Sequence, residues 1–111
     1  HVKGWNEIME TDRGLLWEHL VLDMLRMAYD TVYYWVDKEK NEIDFIVKGQ
    51  EGELHTIECK INPDKYSSRA VQKFRIYYPK GRNFCFSPHI KIPYKLIFEN
   101  IEVDFQSVMP F

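Results

Sequence analysis

Three short β-type segments follow one another in the first half of the chain, and their spacing constrains the fold more than any other feature. The first, over residues 31–36, is β-branched and aromatic throughout, and the second, over residues 42–48, alternates apolar and polar residues. The third covers residues 53–60. Polar turns of five and four residues separate the segments. Connections this short join antiparallel neighbours, so we predict a three-stranded antiparallel meander.

A helical pattern precedes the meander, from about residue 13 to residue 29, with Thr11 or Asp12 as its N-cap. Polar residues at helical spacing form one narrow solvent-facing stripe on this helix, which includes His19, Asp23 and Arg26. Apolar residues fill the rest of its circumference. We therefore expect this first helix to be mostly buried.

The second half of the chain predicts another helix and two more strands. Ser67 or Ser68 can cap a helix that ends near Tyr78, before Pro79 and Gly81. Strands are expected at about 83–86 and 94–98. The resulting order places the chain in the α/β class, with an αβββαβ core and a mixed sheet whose antiparallel meander is flanked by helices.

Length and composition favour one cytoplasmic domain over residues 1–111. A chain of 111 residues with 45% hydrophobic residues can bury its own core, which excludes intrinsic disorder. No apolar run approaches the roughly 18 residues of a membrane span. The two cysteines, Cys59 and Cys85, lack a C-x-x-C spacing, and no signal peptide is visible. Because the chain starts at His1 without Met, we expect it to be a fragment of a longer protein.

Charge is strongly segregated along the chain, although the net charge is only −2. Residues 1–58 hold six Lys and Arg against thirteen Asp and Glu, whereas residues 59–98 hold nine bases against one acid. Such asymmetry is typical of chains that bind an anionic partner. Five bases are predicted to contact a DNA backbone: Lys65, Arg69, Lys73, Lys80 and Arg82.

Three acidic residues occupy positions where a charge is costly. Glu18 lies about 100° from the centre of the polar stripe of the first helix. Asp44 sits in the middle of the second strand, and Glu58 lies near the end of the third, two residues before Lys60. A carboxylate in apolar surroundings needs a partner or a cation. These three acids are therefore the candidate site.

The turn between the second and third strands relates two of these acids. If Gly49 pairs with Glu53, the loop has three residues and puts Gly52 at the left-handed position that such a loop requires. Continuing that register places Asp44 directly opposite Glu58. Like charges that face each other destabilise a sheet, and a divalent cation with oxygen ligands would reverse that effect. We therefore expect Mg²⁺ or Mn²⁺ at this point.

The order and spacing of these residues resemble the PD-(D/E)XK, or restriction-endonuclease-like, nuclease superfamily. Asp44 is followed fourteen residues later by Glu58, Cys59 and Lys60, after a helix that bears Glu18. A closer resemblance, over roughly residues 13–105, is to the domain that follows the AAA module in certain prokaryotic ATPases. It is carried by Arg13-Gly14-Leu15-Leu16-Trp17-Glu18-His19, Tyr34-Trp35, Glu42-Ile43-Asp44-Phe45-Ile46 and Ile57-Glu58-Cys59-Lys60. Ile43 and Cys59 depart from the usual proline and aliphatic residue.

The resemblance implies metal-dependent cleavage of DNA phosphodiester bonds. Asp44, Glu58 and the backbone carbonyl of Cys59 would hold Mg²⁺ or Mn²⁺, and Glu18 would reach the metal directly or through water. Lys60 would orient the attacking water and stabilise charge on the phosphate. The resemblance also implies an ATPase domain in the full-length chain. A second hypothesis stays open, in which the domain is catalytically inactive and binds DNA or a partner for that ATPase.

Overall fold

The computed structural model describes the backbone of residues 5–107 and the side chains of residues 13–107. Two helices flank one six-stranded sheet, and a short 3₁₀ turn, Pro63–Lys65, precedes the second helix. The helices are α1 (Trp5–Ala28) and α2 (Arg69–Tyr77). The strands are β1 (Tyr33–Val36), β2 (Glu42–Lys48), β3 (Leu54–Cys59), β4 (Asn83–Phe86), β5 (Tyr94–Phe98) and β6 (Ile101–Gln106). Within these residues, no helix is long and apolar enough to cross a membrane.

The sheet is mixed, with the strand order β1-β2-β3-β4-β6-β5. β1, β2 and β3 form the predicted antiparallel meander, β4 and β6 continue the sheet parallel to β3, and β5 returns antiparallel to β6. The α1 side chains Val21 and Leu25 pack on one face of the sheet, and the α2 side chains Val71 and Phe74 pack on the other. The predicted α/β class and element order are confirmed.

The turn between β2 and β3 has the predicted register. The backbone N–H of Gly49 donates to the carbonyl of Glu53 at 2.8 Å, and Gly52 has a φ of +83°. Glycine adopts this left-handed conformation at no steric cost. The last pair of the β2–β3 ladder joins Phe45 to Ile57, so the next position along sets Asp44 against Glu58.

Helix α1 differs from its prediction in two ways. It begins at Trp5, so the expected caps Thr11 and Asp12 lie inside it. The reason is that no proline or strong helix breaker separates Trp5 from residue 13. The helix is also more exposed than expected, because it contacts the sheet along one side only. Its exposed apolar side chains are Leu15, Leu16, Leu20 and Met27.

Two further features of the sheet were not anticipated. β6 inserts between β4 and β5 through a two-residue turn, in which Glu99 and Asn100 have φ values of +48° and +72°. Both central residues at positive φ characterise the tight hairpin turn that matches strand twist. β1 lies at the edge of the sheet, which leaves Tyr33 and Tyr34 exposed.

Candidate functional site

The candidate site lies at the carboxyl end of β3, where α1 crosses the sheet. The carbonyl of Phe86, at the end of β4, accepts hydrogen bonds from the backbone N–H of Lys60 and from Nε1 of Trp17, both at 2.9 Å. This one oxygen therefore joins α1 to the ends of β3 and β4. Because Glu18 follows Trp17 in α1, the same bond holds Glu18 at this end of the sheet.

Asp44 is fixed by the neighbouring strand. Its Oδ2 accepts a hydrogen bond from the backbone N–H of Cys59 at 2.8 Å. A shift in the β1–β2 register lies beside it, since two residues of β1 span the same length as three residues of β2. Such a bulge bends the strand and redirects side chains. Burial raises the pKa of Asp44, and the Cys59 hydrogen bond and the charge of Lys60 oppose that shift.

Glu58 is the most perturbed carboxyl group of the site. Its side chain is only 8% exposed, and its Oε2 has no hydrogen-bond partner. Burial raises its pKa from 4.5 to about 8, with a further contribution from Asp44 and an opposing one from Lys60. Buried polar atoms are nearly always paired, so this oxygen calls for a partner that the described residues do not supply.

Electrostatics connects the four predicted site residues. Burial raises the pKa of Glu18, Asp44 raises it further, and His19 and Lys60 lower it. The three carboxylates also raise the pKa of the partly buried Cys59 thiol, after the larger effect of burial. The charges of Asp44 and Lys60 therefore reach both Glu18 and Glu58.

The oxygen atoms of these side chains meet some of the requirements of a small hard cation. Within the described residues, no group of three or more His, Cys, Asp and Glu side chains is arranged to hold a metal ion. Two opposed carboxylates remain, one of them with an unpartnered oxygen, beside the backbone of Cys59. Oxygen donors of this kind suit Mg²⁺, which commonly uses one or two carboxylates and keeps several waters.

The predicted basic residues do not lie together. Lys65 and Arg69 are exposed in the segment after β3, and Nζ of Lys73 lies 3.9 Å from a carboxylate oxygen of Glu39. Lys80 and Arg82 lie at the opposite end of β3, because their carbonyls accept from the N–H groups of residues 54 and 56. Positions 56 and 60 are four residues apart, a distance of roughly 13 Å along an extended strand.

Arg82 is also engaged in the fold. Its Nη2 lies 3.1 Å from Oδ2 of the buried Asp104, and its guanidinium lies over the ring of Phe84. The five bases predicted to contact DNA therefore do not form one surface, because Lys65 and Arg69 follow the site end of β3 whereas the other three lie at its far end or are paired.

Sequence reasoning missed two residues near the site. Trp17 carries the hydrogen bond that places α1, and its only sequence signal was its position beside Glu18. Tyr66 is 9% exposed, and its hydroxyl has no hydrogen-bond partner. Burial raises its pKa, with a further contribution from the charge of Glu58. The sequence signal for Tyr66 is that it is a lone aromatic residue in the polar segment after β3.

Comparison with known proteins places the chain in a family. Residues 13–105 match the model of DUF4143, a domain of unknown function. Because the match covers most of its length, the chain belongs to the DUF4143 family. No curated protein matches the chain.

Proposed function

We propose that this DUF4143 domain is a metal-dependent nuclease of the PD-(D/E)XK type that hydrolyses DNA phosphodiester bonds. One observation carries the proposal: Glu58 is buried opposite Asp44, with an unpartnered oxygen and Lys60 two residues away. An acid pair of this kind costs stability in the metal-free chain. A protein can tolerate such a cost where the acid pair binds a ligand instead of stabilising the fold.

Asp44, Glu58 and the carbonyl of Cys59 would hold Mg²⁺ or Mn²⁺. A bound ion of this class lowers the pKa of water and polarises a phosphoryl oxygen. The hydrogen bond from the Cys59 N–H keeps one oxygen of Asp44 directed towards β3 and leaves the other for a ligand. No three acids among the described residues are arranged to hold a metal ion, so we assign Glu18 to a contact with the metal through water.

Lys60 would supply positive charge at the reacting phosphate. Its charge already opposes the raised pKa of both Glu18 and Glu58, so its ammonium group acts within this group of acids. Its backbone is held by the carbonyl of Phe86 at 2.9 Å. This bond fixes the point from which the Lys60 side chain extends, and its ammonium group would stabilise negative charge that develops on the phosphate. In the proposed reaction, Lys60 orients the attacking water and stabilises the negative charge on the scissile phosphate.

The proposed substrate is DNA, bound through its backbone. Lys65 and Arg69 are exposed on the segment that leads from β3 into α2. They lie in the basic part of the sequence, residues 59–98, which contains nine basic residues and one acidic residue. Contacts of this kind bind phosphates regardless of base sequence. We therefore propose non-specific backbone contact at Lys65 and Arg69.

A second candidate function is a catalytically silent domain that docks DNA or a partner for an AAA-type ATPase in the same chain. The exposed leucines of α1 favour it, because Leu15, Leu16 and Leu20 are each more than half exposed. Exposed apolar residues grouped on one surface mark interaction sites in many proteins. The resemblance to domains that follow AAA modules is compatible with both candidates.

Cleavage of labelled DNA separates the two functions. The purified protein should cut DNA with Mg²⁺ or Mn²⁺ and not with EDTA. Asp44→Asn keeps an oxygen that can accept from the Cys59 N–H, yet it removes the charge, so cleavage should fall by at least about 100-fold. Asp23→Asn removes an exposed acid from the same protein and should cleave normally. Cleavage that is absent from the wild type, or equal in wild type and Asp44→Asn, would favour the silent domain.

A further inference from the structure

Two buried side-chain atoms lack hydrogen-bond partners among the residues whose side chains the structure describes. They are Oε2 of Glu58 and the hydroxyl of Tyr66. The side chains are 8% and 9% exposed, so bulk water does not solvate either one fully. A buried polar atom without a partner destabilises the fold, because it loses its hydrogen bonds to water and gains none in return. Two such atoms in one small domain need a common explanation.

The two groups lie on the same face of the sheet. Glu58, Cys85 and Phe105 are paired in one row across β3, β4 and β6, and the Tyr66 ring packs on Phe105 of that row. The charge of Glu58 also acts on the Tyr66 hydroxyl. The two groups are not hydrogen-bonded to each other.

Packing fixes the direction of the Tyr66 hydroxyl. The Tyr66 ring meets Phe105 edge-on, with centroids 5.4 Å apart, and lies tilted against Phe98 at 5.6 Å. No hydrogen bond from the described residues aims the hydroxyl, so the packing of the ring determines where it points. A buried water typically makes about three hydrogen bonds to groups that would otherwise be unpaired. A donor hydroxyl and a carboxyl oxygen can supply two of them.

We propose that a buried water molecule bridges Oη of Tyr66 and Oε2 of Glu58, and that Tyr66 is thereby a positioning residue for the Glu58 carboxyl group. The effect of this water bridge on metal binding rests on the proposed function. Tyr66 touches no reacting atom in this account. It limits the rotation of the Glu58 side chain, much as outer groups orient the ligands of metal sites.

A crystal structure of the metal-free wild-type protein tests the bridge directly. The inference requires an ordered water within about 3.2 Å of both Oη of Tyr66 and Oε2 of Glu58. An empty gap, or a water that contacts only one of the two atoms, overturns the inference. This result does not depend on whether the protein cleaves DNA or binds a metal.

Mn²⁺ affinity tests the positioning role. Tyr66→Phe keeps the ring and removes only the hydroxyl, so it should weaken Mn²⁺ binding by roughly tenfold. Tyr94→Phe is the matched control, because Tyr94 also packs on Phe105 but is 39% exposed, and it should bind Mn²⁺ like the wild type. Unchanged affinity in Tyr66→Phe overturns the positioning role. A wild type that binds no Mn²⁺ refutes the proposed function instead, and the crystallographic water still decides the bridge.

Discussion

The Oδ2 atom of Asp44 accepts a hydrogen bond from the backbone N–H of Cys59 at 2.8 Å. This bond lies just beyond the last pair of the β2–β3 ladder, at the position where the register sets Asp44 against Glu58. It holds one acid beside another that is buried. The metal-free sheet accommodates the pair by keeping a proton on Glu58, whose pKa is raised to about 8. A cation would replace that proton.

The first prediction concerns stability and pH without metal. The pKa of Glu58 is about 8 in the folded protein and 4.5 as its ordinary value, so the folded state binds more protons between these values. The free energy of unfolding should therefore fall as pH rises from about 4.5 to about 8 and then level off. The total decrease in the free energy of unfolding is on the order of 3–5 kcal/mol. Urea unfolding in EDTA at several pH values measures it.

Glu58→Gln should remove most of this pH dependence and should stabilise the metal-free protein at pH 8, because an amide is not ionised there. Glu39→Gln is the control, since Glu39 is exposed and its loss should leave the slope unchanged. The same slope in Glu58→Gln and in the wild type would show that the Glu58 carboxyl group is not the group responsible.

A second prediction concerns Arg75, which holds the loop between α2 and β4. Its guanidinium donates to the carbonyls of Leu54, Tyr78, Lys80 and Arg82 and to Oδ1 of Asn83. Burial lowers its pKa to about 10, so the group gives up solvation to make these bonds. Arg75→Met should destabilise the fold by about 2–4 kcal/mol, because it leaves several acceptors without a donor.

Chemical denaturation measures this loss, with Lys73→Met as the control. Lys73 lies in the same helix, and its ion pair with the exposed Glu39 is 3.9 Å long. Pairs of this kind contribute about 0–1 kcal/mol. Equal destabilisation by the two substitutions would contradict the structural role given to Arg75.

A third prediction concerns Gly81, next to the same loop. Gly81 has a φ of +135°, and an added Cβ would collide with the carbonyl of Leu54. Gly81→Ala should therefore cost about 2 kcal/mol or more. Gly14→Ala is the matched substitution, because Gly14 lies in α1 with nothing within 4 Å of its Cβ position, and it should stabilise the fold by up to about 1 kcal/mol. The opposite order of thermal midpoints would refute the loop geometry.

A fourth prediction divides the basic residues by position. The double variant Lys65→Ala, Arg69→Ala should weaken DNA binding and lower the salt slope by about 2, one for each lost phosphate contact. Lys80→Ala removes an exposed lysine at the far end of β3 and should leave both quantities unchanged. Fluorescence anisotropy with labelled duplex DNA in Ca²⁺ over a range of salt concentrations measures both. Equal loss in the two variants would contradict the assignment of DNA to the site end.

Much of this fold follows from local sequence rules. The bounds of β2, β4 and β5 agree with the sequence pattern, because alternation and turn residues determine them locally. The Gly49–Glu53 turn can be predicted from the sequence, and its register sets Asp44 opposite Glu58, as the structure shows. Function at this site stays a prediction, since family membership identifies a domain whose function is unknown.

The features that escaped prediction depend on tertiary structure. β6 was missed because its turn uses Glu99 and Asn100 at positive φ without a glycine. Ile43 packs with Ile46 in the same core, although strict alternation places them on opposite faces, and the bulge in β2 is the reason. Arg75 is one of the nine bases of residues 59–98, and its five acceptors come from segments that only the fold assembles.

The central claim is that Asp44 and Glu58 form a divalent cation site, and calorimetric titration of Mn²⁺ at pH 8 tests it most directly. This pH limits competition from the proton on Glu58, whose pKa is about 8. We predict binding to the wild type and to the exposed-acid control Asp23→Asn, and no measurable binding to Asp44→Asn or Glu58→Gln. A wild type that binds no Mn²⁺, or an Asp44→Asn variant that binds it as tightly as the wild type, would contradict the claim.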